Sequence, residues 1–200
     1  MTANIGTVQA ASILRALGWP STVPTSTALT AFQAGWGFRA LTADGVLGPL
    51  TSTALQQAEA RRMRGLPTAS GHFSFTEFAC QCRGRCHGCR GILVRRELLV
   101  GLEKLRTRYP SGLKIVSGYR CPGHNAATKG AASKSQHMYG TAADIEYLLT
   151  DRTVAGLGVF SGIGRSGSTH KVRHVDVRHV SAYNPAHATV THPTVWDYAK

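Results

Sequence analysis

Three short stretches with helical apolar spacing occupy the first 60 residues: Val8 to Leu17, Thr27 to Ala34 and Leu50 to Ala60. Each places apolar side chains three and four positions apart, the repeat of one helix face. Between the last two lies Asp44-Gly45-Val46-Leu47-Gly48-Pro49-Leu50-Thr51. Asp-Gly supplies a tight turn, and Gly-Pro ends one segment and pre-sets the first turn of the next. The periodicity then stops. Arg61 to Ser70 is polar and basic, and Gly65, Pro67 and Gly71 interrupt any helix, so a linker is expected there. Beyond it, Ser74 stands three residues before Glu77, the spacing of a capping box. A helix is predicted over Arg95 to Tyr109, with Leu98, Leu99, Leu102 and Leu105 on one face. Gly112 to Ser117, Thr141 to Tyr147 and Val172 to Val180 read as short strands. The pattern predicts an α+β chain in three parts: a three-helix domain over 1–60, a linker over 61–70, and a third part over 71–200. That third part is expected to hold a small, mostly antiparallel sheet with packed helices carrying a metal site.

The strands carry the candidate chemistry. Ser135-Gln136-His137-Met138-Tyr139-Gly140-Thr141-Ala142-Ala143-Asp144 is followed thirty residues later by His174-Val175-Asp176. Side chains two apart on a strand share a face, so His174 pairs with Asp176, and Asp144 with Glu146. Two neighbouring strands and the turn at Gly140 can converge His137, Asp144 and His174 on one ion. Two imidazoles and a carboxylate with one open position make a standard set of ligands for a catalytic zinc. Among the acids from this motif onward, Asp176 is the best candidate base. Its other readings are a carboxylate that orients a ligand ring and a partner for Arg178. His72, His87, His124, His170, His179, His187 and His192 read as non-ligands.

Ser-x-His-x-x-Gly-x-Ala-x-Asp followed by His-x-Asp resembles the signature of the zinc D-Ala-D-Ala carboxypeptidase and L-alanyl-D-glutamate endopeptidase family, whose fold is shared with the hedgehog signalling domain. Ser117-Gly118-Tyr119-Arg120 is similar to the family's second block, in which the arginine faces the substrate. For residues 71–200 the resemblance implies zinc-dependent hydrolysis of a peptidoglycan peptide bond with a D-residue on one side. Arg120 would steady a substrate carboxylate or the developing oxyanion. One position departs from the pattern: many relatives carry an acid three residues before the last histidine, and here that residue is Lys171. A second reading arises from it, a wall-binding module that kept the fold and zinc without catalysis. Ala31-Phe32-Gln33 and the Asp44-to-Thr51 block together resemble the three-helix peptidoglycan-binding domain, with its Asp-Gly-x-x-Gly-x-x-Thr hallmark. Trp36 and Phe38 are candidate wall contacts.

Composition narrows the partners. Two hundred residues with 42% hydrophobic positions can build cores, and no apolar run is long enough to span a membrane. A net charge of +13 favours a polyanionic partner. Apart from Arg61-Arg62-Met63-Arg64 the basic residues are dispersed, and no recognition helix stands out. Bacterial peptidoglycan is therefore the expected partner, with no nucleic acid, no membrane insertion and a monomeric chain. Met1-Thr2-Ala3-Asn4-Ile5 is not a basic region leading into an apolar core. The expectation is synthesis in the cytoplasm without a signal peptide, and action on the wall as a phage endolysin released through a membrane lesion.

Cys80, Cys82, Cys86 and Cys89 fall within ten residues, while Cys121 stands apart directly after Arg120. Four thiolates complete a closed tetrahedral zinc site, and dense cysteines equally form disulfides in an oxidising exterior. Five is an odd number, so either a free thiol or a four-ligand metal site is implied. Synthesis in a reducing compartment leans towards a structural zinc held by Cys80, Cys82, Cys86 and Cys89. No nucleophile-and-base arrangement accompanies them, so none reads as catalytic.

Overall fold

The computed structural model describes residues 4–109, 111–146 and 149–198. The N-terminal third forms α1 (Thr7–Ala16), α2 (Thr25–Gly35) and α3 (Pro49–Met63). α3 starts where the sequence places Pro, after an extended Gly48. The turn before it is pinned by one side chain. Buried Gln33 donates through Nε2 to Asp44 Oδ1 (2.9 Å), to the Val46 carbonyl (3.0 Å) and to Thr51 Oγ1 (3.0 Å). Its Oε1 accepts from the Gly45 N–H at 2.8 Å. Gly45 sits at φ +76°, where an added Cβ would also meet Thr30 Oγ1 at 2.8 Å. Asp44, Gly45 and Thr51 thus hold the loop that joins two helices.

Two residues expected at the wall surface part company. Trp36 is 2% exposed and stacks on Phe32, with ring centroids 5.4 Å apart, so it belongs to the core. Phe38 remains 46% exposed, with the Arg61 guanidinium 4.5 Å above its ring.

Residues 61–70, expected as a linker, are exposed over 62–66 but tied down at both ends. α3 runs on to Met63, and the chain then folds back. Arg61 Nε donates to the Pro67 carbonyl (2.6 Å) and the Gly37 N–H to that of Ala69 (2.9 Å). Thr68, Ala69 and Ser70 are buried. The cause lies in the aromatic residues that flank the segment. Phe75 packs against Trp19 (5.0 Å) and Phe32 (5.4 Å), so one continuous core joins the helices to the C-terminal part of the chain. Gly35 lets the helices close on it, since a Cβ there would meet Val94 at 2.8 Å.

The C-terminal part opens with a 3-10 turn, Phe75–Phe78, capped reciprocally by Ser74 and Glu77 as expected. α4 (Arg96–Arg108) buries Leu98, Leu99, Leu102 and Leu105. The strands are β1 (Ile115–Ser117), β2 (Ala142–Ile145), β3 (Gly162–Ser166), β4 (Val172–Asp176) and β5 (Thr194–Tyr198), in the order β1-β2-β4-β3-β5. All pairings are antiparallel except β3 with β5. Short helices α5 (Pro122–Ala127) and α6 (Asp151–Ala155) lie between strands. β4 ends earlier than the pattern predicts, because Arg178–Val180 turns into a 3-10 segment. Tyr147, the expected end of β2, lies outside the described residues. β3 and β5 were not expected from the pattern. Among the described residues no helix is long and apolar enough to cross a membrane.

Candidate metal centre

Register places the first two donors. Asp144 on β2 lies opposite His174 on the antiparallel β4, so their side chains share one face of the sheet. His137 comes from the 3-10 turn Gln136–Tyr139, which ends on Gly140 at φ +69° and feeds β2. Leu93 packs so closely here that a Cβ on Gly140 would meet its Cγ at 2.7 Å, so only glycine fits this turn. Asp144 Oδ1 lies 3.0 Å from His174 Nδ1 and 3.3 Å from His137 Nε2, and these two nitrogens are 3.2 Å apart.

The ring atoms facing away from this cluster are held by the protein. His137 Nδ1 is 2.6 Å from the Gly118 carbonyl, and His174 Nε2 is 3.1 Å from Asp176 Oδ2. Such outer contacts fix the tautomer and angle of a ligating imidazole. The donor set, three atoms within 4.8 Å of one another on buried or partly buried residues, fits one divalent metal. Metal-free electrostatics agree. Burial works to depress the His174 pKa, but the Asp144 and Asp176 carboxylates outweigh it and hold it at about 9. Burial also pushes Asp144 up, yet the His137 and His174 rings keep it far below the usual carboxylate range. At His137 burial wins, and its pKa falls.

Asp176, the candidate base, lies deep in the protein beside His174. It is fully buried. Its Oδ1 accepts from Arg178 N (3.0 Å) and Nε (2.9 Å), and its Oδ2 accepts from Arg178 Nη2 (2.6 Å) beside the His174 contact. Burial pushes its pKa up, but Arg178 and His174 outweigh this and hold it well below the usual range. A carboxylate so engaged orients an imidazole. The room for it comes from Gly162 on β3, directly opposite in register, where an added Cβ would collide with the carboxylate. Gly162→Ala should therefore destabilise the fold by about 1–3 kcal/mol, the cost of overpacking, and weaken metal retention. Urea unfolding and metal titration would check this, and an unchanged pair of values would contradict it.

Arg120 reaches the same face. Ser117 pairs with Asp144 across β1 and β2, so the Ser-Gly-Tyr-Arg block leaves the sheet beside the cluster. The Arg120 N–H donates to the His137 carbonyl (3.2 Å) and Nη2 to Ser135 Oγ (3.3 Å). Its buried Nε finds no partner among the described residues. Glu146, on the other side of Asp144 along the chain, pairs with Lys114 at 3.2 Å.

β5 adds a wall that the sequence pattern did not reveal. Trp196 and Tyr198 bring their ring centroids to 5.2 and 6.4 Å from that of His174. Gly164 admits them, since a Cβ there would meet Tyr198 at 2.5 Å and Trp196 at 3.0 Å. Two available signals were the Gly-Ile-Gly of β3 and the alternation Trp196-x-Tyr198, which puts both rings on one face. The seven histidines read as non-ligands stay outside the cluster; His72 pairs with Glu103 and His179 with Ser161.

Four of the cysteines gather in the structure. Cys121, set apart by the sequence, joins Cys80, Cys82 and Cys89 in a buried group of sulfurs within 4.8 Å of one another. Cys86, expected in that set, is partly buried and meets the group only through Cys121 and Cys82. All five cysteines are free thiols.

No curated protein matches the chain. A family model described as Peptidase M15 matches residues 71–177. The matched segment covers more than half of the chain and contains Arg120, His137, Asp144, His174 and Asp176, while β5 lies beyond it. The donor cluster and this match converge, and the chain belongs to the peptidase M15 family.

Proposed function

We propose that the protein is a zinc peptidase that cuts a peptide bond in the stem or cross-link of bacterial peptidoglycan, acting as a phage lysin on the host wall. The observation that carries this is the His137–Asp144–His174 cluster within a metallopeptidase family segment. Those three residues would hold the ion. Zinc at such a site polarises a carbonyl and brings the pKa of its water towards neutrality. The chain's own residues do the rest. Gly118 and Asp176 lock the two rings, Arg120 presents a guanidinium to a substrate carboxylate or an oxyanion, and Trp196 and Tyr198 bound the site. Mass spectrometry of fragments released from purified peptidoglycan tests the reading, because the new termini name the bond. L-Ala–D-Glu, D-Ala–diaminopimelate and terminal D-Ala cleavage each leave a distinct end. Intact peptidoglycan after incubation with zinc-loaded protein would overturn it.

In this reading Asp176 is a positioning residue. Asp176→Asn should lower metal affinity by about 10–100-fold, the usual effect of losing such an outer partner. Added zinc should then restore most of the kcat. A loss of kcat that zinc does not restore would make Asp176 the proton acceptor instead.

The second reading, a wall-binding module without catalysis, rests on Lys171 and on the full engagement of Asp176. Zymography on purified walls separates the two. In either reading the N-terminal helices and the charge of +13 favour attachment to an anionic wall, reached from the cytoplasm through a phage-made lesion. Because the helices share their core with the peptidase part, attachment is tested by a point change rather than by truncation. Phe38→Ala should reduce sedimentation with intact walls and leave hydrolysis of soluble stem peptides unchanged. Equal sedimentation would remove Phe38 from the contact.

A further inference from the structure

We propose that Cys80, Cys82, Cys89 and Cys121 bind a second, structural zinc ion, that Cys86 is the spare thiol, and that this ion fixes the position of Arg120. Cys82 Sγ lies 3.4 Å from Cys80 Sγ, 3.4 Å from Cys89 Sγ and 3.7 Å from Cys121 Sγ. Four sulfurs at 2.3 Å from a tetrahedral zinc would be spaced about 3.8 Å apart. A disulfide needs about 2.05 Å between its sulfurs. The observed spacing matches the first arrangement.

The surroundings are built for thiolates. The Cys121 N–H donates to Cys80 Sγ (3.3 Å), that of Gly91 to Cys89 Sγ (3.4 Å) and that of His124 to Cys121 Sγ (3.4 Å). A neutral thiol is a weak acceptor, so this convergence of donors has little value for thiols. It suits metal-bound sulfur, whose negative charge outer donors stabilise. Arg83, Arg85 and Arg90 flank the loop and offset the net charge of −2 that four thiolates leave on a zinc ion.

The backbone supports the same conclusion. Between the isolated bridge partners Ala79 and Ile92 the chain has no regular helix or strand. Instead Arg83, Gly84, Gly88 and Gly91 all take positive φ, curling the chain around the sulfurs. A loop with so little core of its own gains order from ligation, since binding free energy there is folding free energy. Cys80 and Cys121 are 41 residues apart, so the ion would tie this loop to the residue after Arg120. The loop in turn packs on the helical unit, where Gly84 and Gly91 abut Pro20.

The test uses the full-length His137→Ala/His174→Ala variant, which isolates the cysteine site from the other centre and needs no activity readout. Purified under reducing conditions, it should retain one zinc per chain, released stoichiometrically on titration with a mercurial. Adding Cys121→Ser should abolish that zinc, and adding Cys86→Ser should leave it. A zinc-free double variant would overturn the proposal, as would a Cys121→Ser chain that keeps its zinc. Should Cys121→Ser fail to fold, cobalt substitution of the double variant decides: thiolate-to-cobalt charge-transfer absorption supports the site, and its absence refutes it.

Discussion

The His137→Ala/His174→Ala variant should lose nearly all peptide hydrolysis while keeping its fold. Only Asp144 would remain of the donor cluster, and one carboxylate does not retain a catalytic ion. The metal's contribution is several kcal/mol of charge stabilisation, so the rate should drop by about 10³-fold or more. Residual hydrolysis at the wild-type rate would place the reaction elsewhere. The pH dependence of loading comes from the same cluster. In the metal-free protein His174 titrates at about 9, above its ordinary 6.5. Its protonated form stabilises the metal-free fold; that stability is complete below about 6.5 and is lost as pH rises through about 9. Metal needs the neutral ring, so apparent affinity should weaken by up to about tenfold for each pH unit below 9. Calorimetric titration in buffers of different ionisation enthalpy would detect the released proton.

Arg120→Lys should lower kcat/KM on soluble stem peptides by about 10²-fold or more, the scale of losing an oxyanion donor. A guanidinium grips a carboxylate with two parallel bonds, and an ammonium cannot reproduce that geometry. The structure leaves this guanidinium free for such work. Among the described residues its one side-chain hydrogen bond is to Ser135, its Nε has no hydrogen-bond partner, and Glu146 pairs with Lys114. Zinc content should not change, because Arg120 is not a donor. If activity fell only in step with thermal stability, Arg120 would be a structural residue. Unchanged kinetics would remove it from the site altogether.

Much of this protein is legible in the order of its residues. Periodicity sets the helices around Leu14, Phe32 and Leu102, because a repeat near 3.6 can bury only one face. The donor set is legible for a related reason. The Gly140 turn and alternation along two strands put His137, Asp144 and His174 on one side once β2 pairs with β4 in register. What the sequence could not decide depends on pairings between distant segments. The face of Phe75 that meets Trp19 and Phe32 drew the end of an expected linker, Thr68 to Ser70, into the core. The closeness of Arg178, which surrounds the Asp176 carboxylate with hydrogen bonds beside its contact to His174, was equally hidden. The place of β5 was undecided because its parallel partner β3 is glycine-rich, and those glycines matter only once Trp196, Tyr198 and Asp176 press against them. Cys121 joined Cys80 across 41 residues for the same reason. Local spacing is a property of the backbone repeat, whereas the identity of a neighbour across the core is set by packing that no single segment encodes.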